Sequence, residues 1–233
     1  MEIKELKHKL VTEEKHDFDS LCLLVELLRS EEGCMWDREQ DHRSIRSDII
    51  EETYEVVEAI DSDDMILLRE ELGDVLFQVM FHSEIEREKG TFDINDVIGD
   101  IIDKMILRHP HVFGEVKVGS SGEILDNWDK IKTVEKSRLT LRETLEAVPK
   151  QYPALLRAKK IVKKARKAGM DVNATEDELA DLVGALRYTK GETRSRLLTE
   201  IIFSAVMMSD EGDDVEKNLS FRINKFIDGC SEE

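Results

Sequence analysis

Two clusters of acids stand out in the stretch IEETYEVVEAIDSDDMILLREELGDVLFQVMFH from Ile50 to His82. Glu51, Glu52, Glu55 and Glu58 form the first, and Glu70, Glu71 and Asp74 the second. Each cluster sits in an apolar-periodic segment and spans two helical turns or fewer at ~3.6 residues per turn. Residues three or four apart project from one side of a helix. Glu52 with Glu55, and Glu71 with Asp74, therefore make two E-x-x-[ED] pairs on consecutive helices. The Ser62 to Asp64 turn between them is short enough to make those helices antiparallel neighbours, so the pairs can face each other. Four carboxylates brought together repel and hold raised pKa values unless a cation sits among them, and all-oxygen sites are what Mg2+, Mn2+ or Ca2+ prefer. The competing reading is a solvated face, common in a chain with 37% charged residues. Against it, Leu72, Val75, Leu76, Val79 and Met80 are expected to bury much of the second helix, and Arg69 is the one nearby counter-charge.

The elements that position these acids follow from caps and periodicity. Residues 1–16 are polar and expected to be loosely helical. Asp17 is an N-cap for a helix with the stripe Phe18, Leu21, Leu24, Val25 and Leu28, ending near Gly33. Cys34 to Arg43 reads as a loop. Ser44 is expected to cap a helix from Ile45 to about Ile60, buried along Ile45, Ile49, Val56 and Ile60. A third helix runs from Met65 to about Glu88 and carries Gly73, which costs ~1 kcal/mol relative to Ala and calls for close approach of a helix or a ligand. His82 lies two turns past Asp74 and reads as a packed or hydrogen-bonding histidine. Gly90 stops this helix and Asp93 caps a fourth, with Val97, Ile98, Ile101, Ile102, Met105 and Ile106 in helical period. Four helices joined by short loops make an all-α bundle.

Composition agrees with that class. Only 3 Pro and 12 Gly interrupt 233 residues, enough chain for one large or two small domains. A formal net charge of -18 disfavours nonspecific binding to nucleic acid. It leaves room for a small phosphorylated substrate, because a bound cation and local Lys or Arg can reverse the sign inside one pocket. Cys22, Cys34 and Cys230 are odd in number and lack metal-ligand spacing, so reduced thiols in a cytoplasmic protein are expected. The N-terminal stretch is too charged for a signal peptide, and no apolar run approaches the ~20 residues of a membrane span.

Four segments taken together, WDREQDHRSI from Trp36, EETYEVVEAI from Glu51, EELGDVLFQVMFH from Glu70 and KMILRHPHVFG from Lys104, resemble the successive signatures of MazG-type nucleoside triphosphate pyrophosphohydrolases. Order and spacing match over roughly residues 18–136. One departure is Cys34-Met35-Trp36-Asp37, where the family usually reads CPWD. The resemblance implies an all-α fold, Mg2+ (Mn2+ as substitute) held by Glu52, Glu55, Glu71 and Asp74, a homodimer, and hydrolysis of an NTP to NMP and pyrophosphate. It also implies that the 34–43 loop covers the nucleotide. Trp36 would stack on a base and Gln40 or His42 hydrogen-bond the base or sugar; the alternative for Trp36 is a core anchor at a helix end. Lys104 and Arg108, one turn apart before His109-Pro110-His111, are candidates for the β and γ phosphates, the alternative for Arg108 being a helix C-terminal partner. A further helix from Glu123 to Ser137 carries Lys130, Lys132 and Lys136; Lys130 or Lys132 is a secondary phosphate candidate, or part of a solvated basic face. Glu51 or Glu70 is the candidate general base that takes the proton of an attacking water.

The domain expectation is a catalytic helical domain at 1–138, a linker at 139–153 marked by Pro149 and Pro153, and helices from 154 to 233. The later helices echo the first half, as in tandem members of the resembled family. Glu178, Asp181 and Glu200 match three of the four metal positions, but the fourth falls at Phe203 and the glycine position at Ile202. Phenylalanine cannot ligate Mg2+, so residues 154–233 read as a degenerate repeat kept for folding, dimerisation or regulation. Two other function classes stay open: a nucleotide-binding regulator of this fold without useful turnover, and a di-iron carboxylate bundle, which would need E-x-x-H pairs that the acid clusters lack.

Overall fold

Every regular element in the computed structural model is helical among the residues it describes, which are 3–135, 140–210 and 212–230. The chain divides into two compact units, residues 1–128 and 129–233.

In the first unit the caps read from sequence set most helix ends. The polar N-terminal stretch forms a definite helix, α1 (Ile3–Thr12), with Leu6 buried. Asp17 begins α2 (Phe18–Arg29) by accepting a hydrogen bond from the Ser20 N–H at 2.9 Å, and that bond holds its carboxyl below the usual range. Part of the expected 34–43 loop is a short helix, α3 (Met35–Glu39). The next helix, α4 (Asp48–Asp61), starts later than a Ser44 cap predicts. Asp41 Oδ1 accepts from the N–H groups of Arg43 and Ser44, and this local turn takes the residues that would have formed the first helical turn. Asp64 then caps α5 (Met65–Lys89) by accepting from the Ile66 and Leu67 N–H groups, and Gly90 ends it in the left-handed region at φ 72°. Asp93 and Asp96 form a reciprocal capping box on α6 (Ile94–Arg108), followed by α7 (Pro110–Phe113) and by α8 (Ser121–Glu135), whose residues from 129 on are counted with the second unit.

Helix α5 organises the unit because it packs against α4, α2 and α6 on different sides. Its C-terminal half enters the core, where Met80, Phe81 and Ile85 meet Val25 and Ile45, flanked by Leu21, Cys22, Phe77 and Ile94. Burying aliphatic and aromatic side chains of this size stabilises by about 1.5–3 kcal/mol each. Its N-terminal half departs from expectation. Leu72 and Leu76 are 52% and 40% exposed, and Ile60 on α4 is likewise exposed. Nor does a helix closely approach Gly73, where an added Cβ would meet no atom within 4 Å.

Arg29 fastens the segment after α2. Its guanidinium is buried, donates to both carboxylate oxygens of Glu88 at 2.8 Å, and donates to the Asp37 and Gln40 carbonyls at 2.6 and 3.1 Å. It also lies 5.1 Å from the Phe81 ring centroid.

In the second unit, the segment expected to be a linker contains α9 (Leu141–Glu146), begun by a Thr140–Glu143 capping box and followed by buried Val148. The expected positions 136–139 lie outside the described residues. Then come α10 (Ala154–Lys167), α11 (Glu176–Ala185) with a 3-10 turn at Leu186–Tyr188, α12 (Gly191–Met208) and α13 (Val215–Asp228). Helix α10 packs on α9, α12 and α13, and Arg166 donates to the Met207 and Ser209 carbonyls at the end of α12.

Replacing Arg29 with Met is expected to destabilise the protein by about 2–3 kcal/mol, because two carbonyls and both oxygens of the Glu88 carboxylate lose their Arg29 donor. Denaturant unfolding would show it, and Trp36 fluorescence would report a loosened 34–43 segment; unchanged stability would contradict this role.

Candidate metal centre

The α4–α5 hairpin sets one face of each helix against the other, and the tight connection Ser62–Asp64 fixes which residues meet. Glu52 and Glu55 are one turn apart on α4. One oxygen from each lies within 4.8 Å of the other and of an oxygen of Glu71 on α5. Glu71 is buried and its Oε2 has no hydrogen-bond partner. Among the described residues no Lys or Arg forms an ion pair with any of the three.

The electrostatic consequence is that protons are held more tightly than usual. Burial raises the Glu71 pKa, reinforced by the charge of Glu55, a hydrogen bond shared with it, and the charges of Asp74 and Glu52. Burial likewise raises Glu52, followed by the charges of Asp74 and Glu55. Asp74 stands outside the tight cluster but close enough to act on both. This donor set is entirely carboxylate oxygen, the set hard divalent cations take, and the orphaned Glu71 Oε2 is the kind of atom such an ion satisfies. The residues fit a divalent cation.

Expected site residues elsewhere are distributed as follows. Glu51 and Glu70 are exposed on the flanks of the same helices, outside the cluster. Trp36 is 59% exposed on α3 and so is not a core anchor. Gln40 Nε2 donates to the Trp36 carbonyl at 2.8 Å, bracing that helix. His42 is engaged on both ring nitrogens, with Nδ1 2.8 Å from His82 Nδ1 and Nε2 2.5 Å from Glu86 Oε1. Burial, then the charge of His42, lowers the His82 pKa. Glu86 is lowered to about 2 by hydrogen bonds from Lys89, Thr91 and His42. Lys104 is half-buried; Arg108 is buried with its guanidinium 5.5 Å from the Trp128 ring centroid. Lys130 is exposed on α8 and belongs to the second unit.

Arg29, Glu88 and Glu86 were not legible as positioning residues, because each acts on a partner more than 40 positions away. Asp48 could have been found: it lies one turn before Glu52, and its charge bears on both Glu52 and His82. In the second unit the carboxylate of Glu178 caps its own helix, accepting from the Thr175 N–H at 2.8 Å, and Phe203 lies where a fourth acid would be needed.

Two titration outcomes are expected. Glu52 and Glu71 have raised folded pKa values, so their contribution to stability is fully present below the usual Glu value of 4.5 and is lost as pH rises through the folded pKa. A cation reverses that loss, so Mg2+ should raise Tm more at pH 8 than at pH 5. Glu71→Gln should be at least as stable as wild type without metal at pH 8 and lose the Mg2+ shift; a shift surviving in the variant would contradict the site. Glu86 has a lowered folded pKa, so its contribution is present above 4.5 and lost as pH falls toward about 2. Glu86→Gln should therefore be less stable than wild type at pH 7, with the gap closing by about pH 2 in denaturant titrations.

Comparison with known proteins agrees with this geometry. Residues 40–113 match the MazG nucleotide pyrophosphohydrolase domain. A Thermotoga maritima protein named nucleoside triphosphate pyrophosphohydrolase/pyrophosphatase MazG is 39% identical over 216 residues, covering 91% of this chain and 83% of the relative. An Escherichia coli nucleoside triphosphate pyrophosphohydrolase is 43% identical over 157 residues, 67% of this chain and 60% of the relative. The uncharacterized Bacillus subtilis protein YabN is 45% identical over 156 residues, 66% of this chain but 32% of the relative. The chain thus spans 60% of the Escherichia relative, a little under a third of YabN, and most of the Thermotoga protein. Hairpin, carboxylate cluster and near full-length likeness converge on one assignment: the chain belongs to the MazG nucleotide pyrophosphohydrolase family.

Proposed function

We propose that this chain hydrolyses nucleoside triphosphates to the nucleoside monophosphate and pyrophosphate in a Mg2+-dependent reaction, with Mn2+ as a substitute. The observation that carries the proposal is the convergence of Glu52, Glu55 and Glu71, one of them with an orphaned buried oxygen. The names of the Thermotoga and Escherichia relatives support the same substrate class. Glu52, Glu55, Glu71 and Asp74 would hold the cation. When bound, Mg2+ supplies neutralisation of phosphate charge and a more acidic water. A carboxylate oxygen of Glu51 or Glu70 takes the proton of the attacking water, both being exposed beside the cluster. Trp36, Gln40 and His42 contact the nucleoside; Lys104 and Arg108 are the cationic candidates for the phosphates.

The chain as a homodimer is part of the same proposal. Ile50, Tyr54 and Val57 on α4 and Leu72 and Leu76 on α5 are exposed, more apolar surface on one hairpin than a lone chain usually leaves wet. Residues 154–233 are proposed as a degenerate second copy retained for folding, dimerisation or regulation, because Glu178 is spent on a cap and Phe203 replaces an acid. No helix among the described residues is long and apolar enough to cross a membrane, and all three cysteines are free. The compartment proposed is the cytoplasm, with no membrane or nucleic-acid partner.

The test is chromatographic product analysis of each NTP and dNTP with Mg2+, beside Glu71→Ala. NMP and pyrophosphate are expected, with turnover in the variant lowered by more than about 100-fold, the upper end of what losing even an outer metal partner costs. NDP and phosphate would mean the wrong scissile bond. Intact NTP bound by the folded protein would leave a nucleotide-binding regulator instead.

A further inference from the structure

Beyond the carboxylates, the hairpin face contains a second orphaned atom. Gln78 on α5 is 8% exposed, and its Oε1 has no hydrogen-bond partner. A buried acceptor left unpaired carries the full desolvation cost of that group, and native structures keep few of them.

Gln78 follows Asp74 by four residues and Glu71 by seven, so the three share one stripe of α5. At ~1.5 Å of rise per residue it lies roughly 10 Å along the axis from Glu71. A cation gripped by the three clustered carboxylates at bond lengths of about 2 Å cannot also satisfy it. The stripe continues one turn on to His82, which is held by His42, itself held by Glu86. Across from it, Asp48 stands one turn before Glu52 on α4, with its charge felt at both Glu52 and His82. A polar track thus leads from the carboxylates past Gln78 to the histidine pair.

The segment bearing Trp36 is fastened over this same end of α5. His42 ties it to His82 and Glu86, and Arg29 links its Asp37 and Gln40 carbonyls to Glu88. The exposed indole therefore belongs to the histidine end of the track and the acids proposed to hold the cation to the other, with the unpaired buried amide oxygen of Gln78 between them. That polarity matches a nucleotide lying with its phosphates at the acids and its nucleoside at Gln78.

We propose that Gln78 is a substrate-binding residue whose Oε1 accepts a hydrogen bond from the nucleoside half of the substrate, either an N–H of the base or a hydroxyl of the sugar, with the His42–His82–Glu86 chain fixing the wall beside it. The inference rests on the nucleotide reading above. It adds a residue that the acid motif does not contain and a role distinct from phosphate or metal binding.

The experiment compares Gln78→Leu and Gln78→Glu with wild type by calorimetric binding of non-hydrolysable α,β-methylene NTPs and of inorganic tripolyphosphate, both with Mg2+, alongside Tm with and without Mg2+. Gln78→Leu is expected to bind the NTP analogues about tenfold more weakly. It should bind tripolyphosphate as wild type does, keep the Mg2+-induced Tm shift, and have a metal-free Tm equal to or above wild type. Gln78→Glu retains an acceptor oxygen and should recover part of the nucleotide affinity. A loss confined to ribonucleotides identifies the sugar hydroxyl as donor; a loss that tracks the base identifies a base N–H. Equal losses for NTP and tripolyphosphate, or no loss for either with Gln78 merely holding a water, would overturn the proposal. A wild type that binds tripolyphosphate but no nucleotide would instead overturn the nucleotide reading on which it rests.

Discussion

Carboxylates sharing a few ångströms of half-dehydrated protein repel one another, and burial removes the water that would screen them. Glu52, Glu55 and Glu71 are held in that arrangement by helix packing, with no Lys or Arg ion-paired to them among the described residues. The hairpin supplies the constraint: a three-residue turn, an Asp64 cap and the pairing of α4 with α5 leave the acids no other face to occupy. Stability elsewhere must therefore offset the strain of the cluster. It comes from the other half of α5, where Met80, Phe81 and Ile85 close on Val25 and Ile45. One helix thus joins a region that is stable because it is apolar to a region of clustered carboxylates proposed to bind a cation.

The same helix shows why part of the site was legible in the sequence. The i, i+3 spacing of Glu52 with Glu55 and of Glu71 with Asp74 is local information, and a short turn is enough to predict that the pairs meet. Caps are local too, so Asp17 and Asp93 begin their helices, and Gly90 ends its own, where the sequence says they should. Ser44 misleads because Asp41 competes for the same backbone N–H groups, a contest between two local signals that spacing does not rank. Leu72, Leu76 and Ile60 mislead because periodicity identifies an apolar face but not what covers it within one chain.

Long-range bonds were not legible at all. Arg29 meets Glu88 across 59 positions, and His42 meets Glu86 across 44. Nothing in the spacing of either residue announces its partner, yet these bonds decide where the Trp36 segment sits. Gln78 was invisible for another reason: within an apolar run it reads as a single polar interruption, and only burial and the lack of a partner give it meaning. A net charge of -18 is compatible with a triphosphate site on the same grounds, because binding answers to the few groups lining the track and not to the sum over the chain.

Anomalous scattering from crystals grown with Mn2+ would test most directly whether the carboxylate cluster is a cation site. The result expected is a peak bounded by Glu52, Glu55 and Glu71, with Glu71 Oε2 no longer unpaired. A peak elsewhere, or three carboxylates that stay together with no ion among them, would contradict it and leave the cluster as an acidic face of the hairpin.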